Sequence, residues 1–582
     1  MMVDDSPPVA AAAVLGAPRP APHRQRRTAW LSFPSVAAAA VLFVLVGAPL
    51  LAIITTSLGI GSPGGPTLDH FVVAQGSARY LRAEFNTLLL GLTVAGGTVL
   101  IGVPLAWAVA RTDMGAKQFV RNTAALAFIC PPYLAAVGWI LIAGPNAGLI
   151  NRVAAGTLGG GGIVNIFSFT GMAFVMSASL FFFVFSFTSS ALDNVPAEME
   201  EAATILGAGN LRTAIYVTLP LIAPALIGAV IIVFLQTIAL YGVPALLAYP
   251  ARFPVLVTAL LEFFEVPVQV GAAAAYTVPL LIVTAIMQWL QKRLTQRRGF
   301  VTITGKGGRH QLLRLRRARL PITAAAVLVC VGIVVLPLVV LLQAALSRAW
   351  GQGFSAGNVT FDNFVRLVQL PGLRQALVNS AMFAGASALL TAIVAFAVSY
   401  IVLRLKVAIG PLLSFLAMAP YAIPGIVLAI GFYAAFAAPP LSLYGTGLLI
   451  VLAFTSRFLP ITYSSSVASL ASLNPELEDA AAILGASRLS ILLYITWPSV
   501  RRSLGAAGIL VFILASHELS TAVFLVGPTT RVVSISMIEL ADNGQIEALA
   551  AMGIALMTLT LGCVWLGTRL VGRGFMSGQT EP

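Results

Sequence analysis

The chain has 582 residues, of which 59% are hydrophobic and only 9% are charged, and its mean hydropathy is +0.95. This composition excludes a soluble globular protein and indicates a chain whose surface lies largely in lipid. The formal net charge of +14 would also suit a protein that binds nucleic acid. The placement of the basic residues along the chain decides between the two interpretations.

Twelve apolar segments long enough to cross a bilayer follow one another along the chain. A hydrocarbon core of about 30 Å needs about 20 apolar residues in a helix, and backbone groups in lipid must be hydrogen-bonded within their own segment. The predicted spans are 36–57, 86–110, 120–143, 163–189, 222–247, 270–290, 321–346, 379–403, 411–437, 445–468, 504–526 and 547–570. The sequence therefore predicts an all-α polytopic membrane protein with about 12 transmembrane helices.

The basic residues are concentrated in alternate loops. If the N-terminus is cytoplasmic, the loops on that side hold 25 of the 34 Lys and Arg residues, the opposite loops hold 8, and Arg457 lies within a predicted span. This asymmetry follows the positive-inside rule and places both termini in the cytoplasm. It accounts for the net charge through topology and attraction to anionic lipid, so the bilayer is the predicted partner of these charges and nucleic acid is not.

A basic stretch divides the chain into two halves of six spans each. Ten basic residues and no acids lie between Lys292 and Arg319. Because six is even, both halves insert in the same orientation, which predicts parallel repeats related by a pseudo-two-fold axis along the membrane normal. The predicted domains are a disordered cytoplasmic N-terminal tail (1–30), a first half (31–291), a cytoplasmic linker (292–320), a second half (321–572) and a C-terminal tail (573–582).

The clearest repeat lies in two polar breaks between spans. Residues 200–220 (EEAATILGAGNLRTAIYVTLP) and residues 478–498 (EDAAAILGASRLSILLYITWP) are identical at 11 of 21 positions. Each window follows the fourth span of its half and precedes the fifth. Each is predicted to hold a short helix with an acidic N-terminal end, terminated by a left-handed glycine at Gly207 or Gly485. Two equivalent loops in one chain suit a partner with two-fold symmetry.

At these residues the chain resembles the binding-protein-dependent ABC transporter permeases. Their EAA motif is Glu-Ala-Ala, three residues, Gly, nine residues and Ile-x-Leu-Pro. The first copy has Val217 at the Ile position, and the second has Asp479 for Glu and Trp497 for Leu. The resemblance assigns ATPase coupling to Glu201, Ala202, Ala203, Gly207 and Pro220 in the first EAA loop (193–220), and to Asp479, Ala480, Ala481, Gly485 and Pro498 in the second EAA loop (471–498).

The resemblance implies a multi-pass permease subunit in a bacterial inner (plasma) membrane. In that family the short helix is the coupling helix, which inserts into a groove of the ATP-binding subunit. The implied partners are two copies of an ATP-binding cassette subunit on the cytoplasmic side and a periplasmic substrate-binding protein. The sequence contains no GxxxxGK[ST] phosphate-binding loop. ATP and magnesium are therefore expected to bind to the partner, and no catalytic residue, cofactor or metal is expected in this chain.

The expected substrate also rests on resemblance. The segment HELSTAVFLVGPTT, followed by ADNGQIEALAAMG, is similar to fused iron(III)-type permeases, and iron(III) is the expected cargo. Polyamine, thiamine and phosphonate importers of the same branch remain alternatives. A gradient-driven secondary transporter is an alternative of another class, but it would have no reason to carry paired EAA loops.

Three polar residues lie inside predicted spans and are candidates for the translocation pathway: Glu518, His517 and Arg457. A carboxylate within a span costs roughly 2.5–3.5 kcal/mol on insertion scales, so Glu518 is expected to face a cavity or a partner. It either borders the pathway, or it bonds a broken helix or pairs with His517 or Arg457. Arg457 likewise either satisfies a helix break or borders an anion path. The position of the first half equivalent to Glu518 is Leu240, so any such site is asymmetric.

Prolines mark a further pair of equivalent positions. Pro131-Pro132 lies in the third span of the first half, and Pro420-x-x-x-Pro424-Gly425 lies in the third span of the second. Since proline cannot donate a helical hydrogen bond, two interpretations are open: broken helices that bend around the pathway, or ordinary spans that tolerate proline.

Overall fold

The computed structural model describes residues 33–61, 64–158, 163–296, 312–353 and 355–571, and in these ranges the chain is built from helices. The predicted tails 1–30 and 573–582, and residues 297–311 of the predicted linker, lie outside the described residues.

The transmembrane helices of the two halves follow the same order, while some of the short helices between them differ. The first half contains α1 (Phe33–Ser57), α2 (Asp69–Gln75), α3 (Ala78–Arg111), α4 (Lys117–Ile129), α5 (Pro132–Ala143), α6 (Leu149–Leu158), α7 (Phe169–Asp193), α8 (Ala197–Ile205), α9 (Ala214–Ala239), α10 (Gly242–Leu247) and α11 (Val270–Gln296). The second half contains α12 (Arg316–Ala345), α13 (Asp362–Gln369), α14 (Pro371–Leu405), α15 (Gly410–Ala422), α16 (Gly425–Phe436), α17 (Gly447–Ser472), α18 (Glu476–Ile483), α19 (Arg488–Ser516), α20 (Val533–Asp542) and α21 (Ile546–Val571).

The predicted polytopic fold is confirmed, with two spans that are broken. In the described residues, ten helices are long and apolar enough to cross a membrane. The third span of each half is a bent pair, α4–α5 with an angle of 104° and α15–α16 with an angle of 116°. The residues before the prolines, Cys130 and Ile423, have extended backbones, because a following proline disfavours the helical conformation. Of the two interpretations of these prolines, the structure shows the broken helix.

The predicted fifth span of each half was wrong in its extent. The prediction 222–247 runs through a break, since α9 ends at Ala239 and Leu240 is extended. The prediction 504–526 starts too late and also runs through a break, since α19 spans Arg488–Ser516. Hydropathy detects apolar composition and not backbone hydrogen bonding, so it misses both the polar first turns of a helix and an apolar helix break.

The first helix of each half packs against the other half. Helix α1 lies along α16, and α12 lies along α5. A Cβ atom added to Gly138 of α5 would lie 2.9 Å from the carbonyl oxygen of Pro337, and one added to Gly431 of α16 would lie 2.7 Å from that of Pro49. Glycine at both positions permits the close backbone approach that apolar helices need in lipid, where no hydrophobic force drives association. The halves are thus joined by a reciprocal exchange of helices.

Equivalent segments of the two halves also meet. The amide of Tyr241, just after α9, donates to Ser520 Oγ, just after α19, at 3.3 Å. These residues lie 279 positions apart, close to the spacing of the EAA windows. A contact between equivalent segments lies at the pseudo-two-fold axis, so the helix breaks that follow α9 and α19 meet at the centre of the molecule.

Candidate functional sites

The two EAA loops have the same backbone geometry. Helix α8 is followed by Gly207 with φ +83°, and α18 is followed by Gly485 with φ +86°. The amide of Ala208 donates to Ala203 O at 2.9 Å, and the amide of Ala486 donates to Ala481 O at 3.0 Å, which closes the end of each helix. The predicted left-handed glycines are confirmed.

Two apolar side chains extend from the end of each short helix. Ile205 and Leu206 are 85% and 87% exposed, and Ile483 and Leu484 are 85% and 88% exposed. Large apolar side chains exposed in equivalent pairs indicate a surface that contacts another protein. Sequence reasoning did not assign these residues a role, although the Ile-Leu pair is identical in both windows.

The residues assigned to coupling surround this apolar pair. Glu201, Ala202, Asp479 and Ala480 are exposed, and Ala203 and Ala481 are half-buried. Among the described residues, neither the Glu201 nor the Asp479 carboxylate has an ion-pair partner. The short helices therefore present acidic groups, small side chains and an apolar tip on one surface.

Pro220 and Pro498 lie where each loop continues into a transmembrane helix. A π-helical turn precedes each proline, at Ala214–Thr218 in the first half and at Leu492–Thr496 in the second. A proline ring clashes with the carbonyl four residues earlier, and a wider turn relieves this clash. Each EAA loop is thus continuous with the fifth span through a helical segment, without an intervening coil.

A second pair of acids anchors the loops to the transmembrane helices. Glu200 Oε1 accepts a hydrogen bond from Thr218 Oγ1 at 2.6 Å and lies 3.4 Å from Arg111 Nη2. In the second loop, Glu478 Oε1 accepts from Thr496 Oγ1 at 2.8 Å and from Arg404 Nε at 3.1 Å.

We call each Arg-Glu-Thr set a loop clamp. Sequence reasoning missed both clamps, although Glu200 and Glu478 stand at identical positions of the repeat, as do Thr218 and Thr496. The arginines could not be paired with them in advance, because Arg111 and Arg404 lie outside the repeated windows.

The intramembrane acid and base lie together at two helix breaks. Glu518 follows the end of α19, and its Oε1 accepts from the amide and from the hydroxyl of Thr521, both at 3.0 Å. Its Oε2 lies 4.0 Å from Arg457 Nε. Arg457 Nη1 donates to Ile423 O at 2.9 Å, where α15 gives way to α16. The pair therefore satisfies two broken helices of the second half.

His517 does not take part in this ion pair. Its Nδ1 is buried and has no hydrogen-bond partner among the described residues. The first half has Leu240 and Ser179 in place of Glu518 and Arg457, so the asymmetry predicted for Glu518 extends to its partner. In the described part of the chain, no three His, Cys, Asp or Glu side chains are grouped as a metal site.

Comparison with known proteins gives the family. The model of the family "Binding-protein-dependent transport system inner membrane component" matches residues 28–299 and 399–573. The chain belongs to this family. It is a multi-pass inner-membrane permease of an ABC importer, and both EAA loops and the Arg457–Glu518 pair lie within the matched residues.

Several permeases of this family are similar over much of the chain. The ferric transport system permease protein FbpB of Actinobacillus pleuropneumoniae is 26% identical over 541 residues, which are 91% of this chain and 77% of that protein. The Fe(3+)-transport system permease protein FbpB 2 of Haemophilus influenzae is 23% identical over 89% of this chain and 95% of its own length. PhnV of Salmonella paratyphi A, named for 2-aminoethylphosphonate transport, is 29% identical over 39% of this chain and 84% of its own length.

One solved structure has limited similarity to part of the chain. A bacterial alginate ABC transporter in complex with its pentasaccharide-bound periplasmic protein matches with 18% identity and a TM-score of 0.36, over 45% of this permease and 97% of the matched chain.

Proposed function

We propose that this permease imports iron(III) with the energy of ATP hydrolysed by a separate subunit. The observation that carries the proposal is the pair of EAA loops, each with an exposed Ile-Leu tip beside exposed acids. Two copies of an ATP-binding cassette subunit dock on the two loops at the cytoplasmic face. A periplasmic binding protein delivers the substrate to the opposite face, and both termini lie in the cytoplasm.

The loops receive force from the ATP-binding dimer. Helices α8 and α18 are short and lie at the same point of each half, so a symmetric dimer that closes would displace both together. Each displacement enters the fifth span directly, because α9 and α19 continue from the loops as helices. Those spans end at the contact between Tyr241 and Ser520 on the pseudo-two-fold axis. Movement of the loops thus opens or closes the centre of the molecule by alternating access.

Several acids of the outer face already have partners within the chain, so few remain to contact a binding protein. Glu262 pairs with Arg79 at 2.6 Å, Glu539 pairs with Arg531 at 3.1 Å, and Glu547 accepts from the Trp350 amide at 2.7 Å. Other acids of these loops, Glu265 and Asp542, are exposed. Glu265 and Asp542 are therefore the acids that contact basic groups of the binding protein.

Iron(III) as the cargo is supported by similarity across most of the chain to permeases named for ferric transport. The relative named for 2-aminoethylphosphonate is similar over one half-sized segment. Phosphonate, polyamine and thiamine import by the same machinery are the second candidates. The exposed pair of EAA loops disfavours a gradient-driven transporter, because such a transporter has no ATP-binding subunit to dock on them.

The test is iron(III) uptake by membrane vesicles that contain the permease, its ATP-binding subunit and its binding protein. Leu206→Asp with Leu484→Asp places a charge on each apolar tip, and we expect loss of both ATP-binding-subunit co-purification and ATP-dependent uptake. Replacing an apolar residue in a desolvated interface centre typically costs 2 kcal/mol or more, or roughly 30-fold in affinity.

The matched control is Tyr249→Asp, which changes a side chain that is 88% exposed and lies on the predicted outer face. The ATP-binding subunit should co-purify with this variant as with the unmodified chain. Retention of the subunit by the double variant would contradict docking at the loop tips. Uptake of a polyamine, a thiamine compound or a phosphonate in place of iron(III) would refute the cargo and leave the machinery intact.

A further inference from the structure

We propose that the two loop clamps are positioning devices that make each EAA loop move as one body with the second span of its half. This inference rests on the proposed function, since it concerns how motion of the loops reaches the membrane. The clamps are Arg111–Glu200–Thr218 and Arg404–Glu478–Thr496.

Each clamp joins three elements at one carboxylate oxygen. The arginine belongs to the end of the second span, α3 or α14, the glutamate belongs to the short helix, and the threonine ends the π-helical turn that enters the fifth span. The same oxygen, Oε1 of Glu200 or Glu478, faces both the threonine hydroxyl and the guanidinium. A short helix held only through its own chain would transmit motion to the fourth and fifth spans that it joins, whereas a clamped helix transmits it to the second span as well.

Burial makes these contacts persistent. Thr218 and Thr496 are buried, the side chain of Arg111 is 7% exposed, and that of Arg404 is 11% exposed. Hydrogen bonds to ionised groups are roughly twice as strong as neutral ones, and loss of one partner would leave a charge buried without compensation. Exposed ion pairs lack this constraint. The clamps therefore keep each EAA loop attached to the second span whether the loop moves toward the membrane or away from it.

The second clamp is more completely bonded than the first. Arg404 Nη2 also donates to Leu470 O at 3.0 Å and to Leu473 O at 2.9 Å, which adds the end of α17 to the assembly. In the first clamp, Nε and Nη2 of Arg111 are buried without hydrogen-bond partners in the described part of the chain. The second loop is thus tied to three spans, and we expect its clamp to matter more for coupling.

The first clamp also lies beside the chain segment that enters the second half. The backbone oxygen of Arg111 accepts from the Leu313 amide at 2.9 Å, and the Leu315 amide donates to Asp113 Oδ1 at 2.8 Å. The chain segment that enters the second half thus lies against the end of α3. This backbone contact fixes the end of α3 without satisfying the Arg111 side chain.

The test uses the full-length permease with its ATP-binding subunit in lipid nanodiscs, and measures ATP hydrolysis with and without the loaded binding protein. Glu478→Gln keeps the side-chain shape and removes the charge. We expect the ATP-binding subunit to co-purify, while the ratio of stimulated to basal hydrolysis falls roughly tenfold, within the usual range for coupling between sites. Glu200→Gln should lower the ratio less, because Arg111 is already poorly bonded.

Two further variants keep the test decisive. Glu476→Gln changes an exposed acid of the same helix, whose carboxylate contacts Asn474 Nδ2 at 3.1 Å, and should leave the ratio unchanged. Thr496→Val removes one hydrogen bond without removing a charge, and should lower the ratio roughly threefold. Because Thr496→Val retains the Arg404–Glu478 ion pair, it tests the clamp even if Glu478→Gln does not fold.

The outcomes separate this inference from the proposed function. A normal ratio in Glu478→Gln and Thr496→Val would overturn it. Loss of co-purification in either variant would also overturn it, because the clamp would then shape the docking surface instead of transmitting motion. If the unmodified chain does not retain an ATP-binding subunit, the proposed function fails first and the clamp proposal fails with it.

Discussion

At the scale of single residues, Glu518 and Arg457 show what a sequence can locate and what it cannot assign. A charged residue in an apolar span is visible in the sequence, and its cost in lipid requires a partner. The partners were left open because they come from other helices. In the structure Arg457 reaches Glu518 and Ile423 O, while His517 is adjacent in sequence but does not join the pair. The bonded helix break is therefore the better interpretation of this pair.

This geometry predicts the stability of two variants. Arg457→Met should lower the free energy of unfolding by about 2–3 kcal/mol, because it leaves the Glu518 charge and the Ile423 carbonyl unpaired. Adding Glu518→Gln should restore part of the loss, since a neutral amide can still accept from Thr521. Thermal unfolding in detergent measures both effects.

The control for this prediction is an exposed ion pair. Arg531 and Glu539 lie 3.1 Å apart with about half of each side chain exposed, so Arg531→Met should change the free energy of unfolding by less than about 1 kcal/mol. If the double variant is no more stable than Arg457→Met, the Glu518 charge is satisfied by something other than Arg457.

At the scale of elements, the sequence located helix bends and helix ends where a proline or glycine restricts or frees the backbone of that residue. Pro131 and Pro424 marked the positions at which the third spans are bent, and Gly207 and Gly485 marked the ends of the short helices. The fifth spans were drawn wrongly, because a hydropathy average runs across the breaks after Ala239 and Ser516, although Gly242 and Pro244 follow the first break and His517 and Glu518 follow the second. That the two breaks meet across the halves is tertiary information, which hydropathy does not contain.

The left-handed glycines give a prediction at this scale. A Cβ added at Gly207 meets no atom within 4 Å, so Gly207→Ala would act only through the strain of a positive φ. That strain is about 1–2 kcal/mol for an L-residue. If all of it opposes the bound loop geometry, the affinity for the ATP-binding subunit falls roughly 5- to 30-fold.

Gly209→Ala is the matched control, because Gly209 also has open space and does not have a positive φ. Binding of the purified ATP-binding subunit to lipid-embedded permease measures both variants. Equal affinities for the two variants would show that the left-handed turn is not needed for docking.

At the scale of the whole molecule, the exchange of first helices was beyond the sequence. Hydropathy gives the number of spans, and the duplicated windows give two parallel halves, but neither specifies which helices are neighbours. Lipid tails are as apolar as the helix surfaces, so an apolar helix face gains no hydrophobic free energy by leaving lipid for a neighbouring helix. Which helices become neighbours therefore depends on the close packing of small residues. Gly138 and Gly431 supply that packing. The sequence alone does not single out these two among the 52 glycines of the chain.

The exchange predicts that the halves associate without their covalent linker. If the chain is divided between residues 304 and 305 and both parts are expressed together, a tag on one half should recover the other, because α1 and α12 each pack against the opposite half.

Gly431→Val should reduce this recovery strongly, since an added Cβ would lie 2.7 Å from Pro49 O. Gly385→Val makes the same change in α14, where no atom lies within 4 Å, and should not reduce it. Recovery that is unaffected by Gly431→Val would mean that contacts other than the exchanged helices hold the halves together.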